Sequence, residues 1–70
     1  MEVKDSALKH GVRPEDIRHA LVNVITVHFF DDYRMVVGPA RDGSLLEVAV
    51  NRSSEVFHTM PVRPKFLRRK

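Results

Sequence analysis

Between Tyr33 and Val50 the chain reads Tyr-Arg-Met-Val-Val-Gly-Pro-Ala, then Arg-Asp-Gly-Ser, then Leu-Leu-Glu-Val-Ala-Val. Two apolar, β-branched runs thus flank Asp42-Gly43, a pair suited to the positive φ values of a tight hairpin turn. Asp tolerates the left-handed region by bonding nearby backbone, and Gly has no Cβ to clash there. In the second run Leu46, Val48 and Val50 share one face, and Leu45, Glu47, Ala49 and Asn51 the other. In the first, Met35 and Val37 alternate with Arg34, Val36 and Gly38. Period-2 alternation marks strands packed on one side, so a β-hairpin is predicted here. Pro39 has no N–H for the ladder, and the first strand is expected to fray or bulge at Gly38-Pro39.

The flanks extend this hairpin. A short helix is predicted near residues 6–10, with Ser6 as N-cap, Ala7, Leu8 and Lys9 as helix formers and Gly11 as the stop. A second is predicted over 14–23, opening on Pro14 with Glu15 and Asp16 in its first turn. Its buried stripe is Ile17, Ala20, Leu21 and Val24, with Arg18 and His19 facing solvent or a partner. Residues Val24 to Phe30 switch to strand alternation, and Asp31-Asp32 turns the chain into Tyr33. After a turn at Asn51 to Ser54, Glu55 to Met60 reads as the last strand, with Val56, His58 and Met60 on one face and Phe57 and Thr59 on the other. Pro61 and Pro64 end regular structure, leaving room for one helical turn anchored by Phe66 and Leu67. The expectation is one α+β domain over residues 1–70: two short N-terminal helices packed on a four-stranded antiparallel meander sheet, with 62–70 a basic C-terminal tail.

Seventy residues without a cysteine exclude disulfides, thiolate nucleophiles and thiolate metal sites. A chain this short buries only about 60% of its unfolded surface, which favours association with a partner. With no leader-like or long apolar segment it is expected to be cytoplasmic, without a membrane. Its net charge of +3 is unevenly spread. Residues 1–60 carry seven Lys/Arg against nine Asp/Glu, whereas the last ten carry Arg63, Lys65, Arg68, Arg69 and Lys70 and no acid. A basic end on a slightly acidic body attracts phosphates; the alternative reading is a solvated, frayed tail that keeps the protein soluble.

No glycine-rich phosphate loop, zinc spacing or nucleophile elbow occurs, and His10, His19, His28 and His58 are too scattered to suggest a metal; no cofactor is indicated. RNA cleavage without a metal needs less. A 2′-hydroxyl must lose a proton, the leaving 5′-oxygen must gain one, and cations must stabilise the phosphorane. The candidates for those functions are His58, Glu47, Arg34, Arg52, Arg63 and Lys65. The alternatives are a strand histidine bonded in the core, a solvent-facing Glu47, and an Arg63 that pins the chain end to Glu55 or Glu47.

Leu8-Lys9-His10-Gly11-Val12, followed by a helix with an acidic start, resembles the Lys-His-Gly segment of BrnT-type toxins, small RelE-like ribonucleases of bacterial type II toxin–antitoxin pairs. The resemblance continues through Arg34-Met35-Val36-Val37-Gly38 and Gly43-Ser44-Leu45-Leu46 to Met60-Pro61-Val62-Arg63, which stands where that family has Ile-Ser-Ala-Arg. By this resemblance the chain is a divergent, shortened relative, and Lys9, His10 and Arg63 belong to the RNA site. Glu47 and His58 join the catalytic set on chemical grounds, while Arg34, Arg52, Lys65, Arg68, Arg69 and Lys70 are expected to bind RNA. The implied function is an mRNA-cleaving toxin held by a cognate antitoxin in a toxin–antitoxin hetero-oligomer. Two further readings stay open: a non-catalytic nucleic-acid- or protein-binding module of the same fold, and a structural partner subunit.

Overall fold

The computed structural model describes residues 2–67. Its elements are β1 (Glu2–Val3), a 3-10 turn at Asp5–Leu8, α1 (Pro14–Val22), β2 (Thr26–Phe29), β3 (Tyr33–Pro39), β4 (Leu45–Asn51), β5 (Glu55–Pro61) and a second 3-10 turn at Pro64–Phe66. The sheet order is β1-β5-β4-β3-β2. Strands β2 to β5 pair antiparallel in sequence order, and β1 lies parallel to β5.

Two helices on a four-stranded antiparallel sheet is therefore the wrong architecture: the domain has one helix on a five-stranded mixed sheet. The expected first helix is a single 3-10 turn, with i→i−3 bonds from Ala7 N–H to Lys4 and from Gly11 N–H to Leu8. So short a segment does not recover the cost of nucleating an α-helix, and its backbone finds partners elsewhere. Lys4 N–H donates to the Val56 carbonyl, and Ser6 Oγ, instead of capping, donates to the Phe57 carbonyl at 2.8 Å. The strand ahead of it has two residues, too few for any alternation to register.

One face of the sheet carries α1. Ile17 and Ala20 pack on Val36, Leu46, Val48, Val50 and Val56, and Ala7 from the N-terminal turn completes this core. Helix and sheet touch where Gly38 meets Ala20, so closely that a Cβ on Gly38 would lie 2.2 Å from the Ala20 carbonyl oxygen. Gly38-Pro39 does not fray: β3 keeps register with β4 through Gly38↔Leu46 and Pro39↔Leu45. Val24, placed on the helix stripe by its spacing, lies beyond the helix and is exposed, and His19 is engaged by the Pro39 carbonyl, to which its Nδ1 donates.

The turns differ from the simplest expectation. Arg41-Asp42-Gly43 forms a three-residue loop in which Gly43 alone has positive φ, at 91°. Gly43 N–H returns to the Ala40 carbonyl, and the Asp42 carboxylate accepts from the Ser44 N–H and hydroxyl. This is a type I turn closed by a left-handed glycine, the usual solution for a loop of three. Arg41 ties it to α1 through two bonds to Asp16 Oδ1.

The irregularity that matters lies between β4 and β5. Ala49 faces His58 and Val50 faces Val56, so Phe57 is an extra residue on β5. The bulge breaks the expected alternation. Val56 and Thr59 belong to the helix side, while Phe57 and His58 both turn to the opposite face. There Met35, Val37 and Ala49 are covered by Phe66, with Tyr33, Phe57 and Val62 packed alongside. No helix among the described residues is long and apolar enough to cross a membrane.

The contact at Gly38 yields a test of this architecture. Gly38→Ala should destabilise the domain by about 2 kcal/mol or more, because the Ala20 backbone cannot yield as a side chain could. Thermal melting should show it as a fall of roughly 10 °C.

Candidate functional site

On the open face of the sheet, Glu47 has a side chain with no exposed surface. An ionised carboxylate in such a place needs donors on both oxygens. Arg63 supplies most of them. Its backbone N–H donates to Oε1 at 2.9 Å, its Nε to Oε1 and Oε2 at 3.0 and 3.1 Å, and its Nη2 to Oε2 at 2.7 Å. His58 Nε2 donates to Oε2 at 3.0 Å. Burial pushes the Glu47 carboxyl upward, but the Arg63 side chain, the Arg63 backbone N–H and His58 outweigh it and hold the group below the usual value of 4.5. The same bonds raise the Arg63 guanidinium above its ordinary value. Glu47 is thus neither solvent-facing nor free to accept a proton from substrate.

His58 reaches Glu47 because the Phe57 bulge turns it to this face. Since the carboxylate only accepts, Nε2 carries the proton of the neutral ring and Nδ1 is left as the acceptor. The N-terminal turn, held to the β5 edge by β1 and by Ser6, brings His10 edge-on to His58 with ring centroids 5.8 Å apart. Lys9, His10, His58 and Arg63 together line a groove of about 350 Å³, whose remaining walls are Ser6, Tyr33, Met35, Ala49 and Phe57. Arg63 spends its Nε edge on Glu47 and stays 42% exposed, so Nη1 and the second Nη2 hydrogen remain for a ligand.

The other cations named from sequence do not join this cluster. Lys65 sits with Nζ 5.0 Å from the centre of the Phe66 ring, on which Arg63 also rests at 5.4 Å. Arg34 and Arg52 line a neighbouring pocket, across Tyr33 from the groove, with Phe30 and Asp31. Arg68, Arg69 and Lys70 lie outside the described residues. Among the described residues no group of three or more His, Cys, Asp or Glu could hold a metal ion. Tyr33 and Phe57 carry no site signal in the sequence, because an aromatic in a strand reads first as core, and Phe66 reads only as the anchor of a helical turn. His28, a scattered histidine in the sequence, has a structural role: its Nε2 donates to the Phe66 carbonyl at 2.9 Å and so pins the segment that carries Arg63.

Two measurements test the buried carboxylate. A group whose folded pKa is depressed stabilises the fold above its unfolded value and loses that contribution as pH falls through the folded one. The melting temperature should therefore drop as pH is lowered below 4.5, and less steeply in Glu47→Gln. Arg63→Ala leaves the buried charge without its main counterion and should lower the melting temperature at neutral pH, with the loss moderated because water reaches the guanidinium. Equal acid profiles for wild type and Glu47→Gln would show that the carboxylate does not govern acid stability.

No known protein family, curated protein or solved structure matches this chain.

Proposed function

We propose that the protein is a metal-independent endoribonuclease, acting on mRNA as the toxin of a type II toxin–antitoxin pair, with the scissile phosphate in the groove between the N-terminal turn and β5. The observation that carries this reading is the pair of imidazoles, His10 and His58, 5.8 Å apart beside Lys9 and Arg63. Two imidazoles supply both proton transfers of transesterification. His58, its tautomer set by Glu47, takes the 2′-hydroxyl proton on Nδ1; the 2′-oxygen attacks phosphorus; the bond to the 5′-oxygen breaks; and His10 in its cationic form protonates that oxygen. Lys9 and the free edge of Arg63 face the charge that develops on the phosphorane. Glu47 positions His58 and Arg63 and does not touch substrate. The resemblance around Lys9-His10-Gly11 and Arg63 supports the biological half of the proposal, toxicity relieved by a cognate antitoxin.

A second reading has its own observation. Arg63 is tied to Glu47 by four hydrogen bonds, which an anchor for the chain end requires and a catalyst does not. On that reading the groove binds nucleic acid without cleaving it.

Incubation of the purified protein with RNA in the presence of a chelator separates the two. Cleavage should leave 2′,3′-cyclic phosphate and 5′-hydroxyl ends and fail on a substrate with a 2′-deoxy at the scissile position. His10→Ala and His58→Ala should each slow it by about 100-fold or more. Ends bearing 5′-phosphate, or rates indifferent to both substitutions, would overturn the mechanism. Salt-dependent binding without cleavage would leave the binding module. Expression in bacteria should arrest growth, and co-expression of the product of a neighbouring small reading frame should restore it.

A further inference from the structure

Tyr33 stands where two pockets meet. On one side it lines the groove that holds His10 and His58; on the other it walls a smaller pocket of about 240 Å³ with Phe30, Asp31, Arg34 and Arg52. The rings run between them without a break. Phe57, next to His58 on β5, meets Tyr33 edge-on at 5.7 Å, and Tyr33 stacks on Phe30 at 4.7 Å with only 17° between the planes. Phe30 itself remains 46% exposed, an open aromatic surface at the end of a half-buried row. Arg52 is fixed at the rim by donating from Nε and Nη2 to the Asp31 carbonyl at 3.3 and 2.9 Å.

Charge decides which part of a nucleotide fits. Arg34 and Arg52 make the pocket attractive to a polyanion, but Asp31, which also lines it, brings a negative charge that disfavours a phosphate there and can accept from N–H groups on a base edge. Aromatic rings bind the faces of bases, and a base is free to lie there only in a single strand. We propose that this pocket seats one nucleobase of a single-stranded RNA, laid against Phe30 so that it extends the Phe30–Tyr33 stack, while the chain continues past Tyr33 into the groove. The inference rests on the reading of the groove as an RNA site and adds to it a single-strand requirement and a subsite away from the cleaved bond.

Tyr33 is the only tyrosine and the chain has no tryptophan, so its emission reports on this place alone. The probe is a 2′-O-methyl RNA oligonucleotide, which cannot be cleaved, carrying 2-aminopurine at successive positions; this base absorbs where tyrosine emits. Excitation of Tyr33 should sensitise 2-aminopurine strongly at one position and weakly elsewhere. An abasic site at that position should weaken binding roughly tenfold or more, and Phe30→Ala should abolish both the sensitised emission and the difference between the two oligonucleotides. The same sequence as a duplex should show neither effect. If the oligonucleotide binds with a salt-dependent affinity but no position is sensitised, and the abasic form binds equally well to wild type, the stacking subsite is wrong and the RNA reading stands. If no oligonucleotide binds at low salt, the RNA reading fails and the subsite with it.

Discussion

A carboxylate with no exposed surface stays ionised in a small domain only when donors surround it, and Glu47 is met by Arg63 on both oxygens and by His58 on one. Much of the open face follows from that requirement. The bond from the Arg63 backbone draws the chain after β5 back across the sheet, which brings Phe66 onto Met35, Val37 and Ala49. His28 holds the far end of the same segment. A hydrophobic residue at position 47 would pack as well, since buried ion pairs seldom stabilise more than apolar substitutes do. What it could not do is orient a guanidinium and an imidazole toward one groove.

That geometry depends equally on one inserted residue. Strict alternation along β5 would put His58 with Val56 against the helix, in the apolar core. Phe57 shifts the phase, so that His58 shares a face with Glu47 and Phe57 itself becomes a wall of the groove. Bulges near functional sites commonly re-aim a side chain in this way. Here the displaced side chain is an imidazole, and the residue causing the shift is an aromatic ring that joins the row leading to Tyr33 and Phe30.

The parts of the molecule that were legible in the sequence are those governed by local chemistry. Asp42-Gly43 and the alternation around it marked the hairpin, and Pro14 with Glu15 and Asp16 marked the start of α1. The rest is non-local. A two-residue strand has no pattern, and β1 exists because the β5 edge offers it a parallel partner. The bulge leaves no trace in composition, since Phe57 is as good a strand residue as its neighbours. For the same reason simple alternation groups His58 with Val56, whereas the structure turns it to the opposite face. Arg63 itself was read both as a phosphate ligand and as a pin to an acid. The structure gives the pin a definite partner, Glu47, and leaves Glu55 to Lys4 and Asn51.

The parallel pairing of β1 with β5 also sets an order of assembly. Ser6 and Phe57, 51 residues apart, are bonded partners, so the groove joins segments far apart in sequence. Closing so long a loop is entropically expensive and follows the local hairpin and helix, which need no distant partner. During synthesis a chain halted before Glu55 can carry the hairpin, α1 and the Phe30–Tyr33 stack, but neither imidazole pair nor buried carboxylate cluster. The groove thus requires β5 and the segment that carries Arg63 to have folded back beside the N-terminal turn.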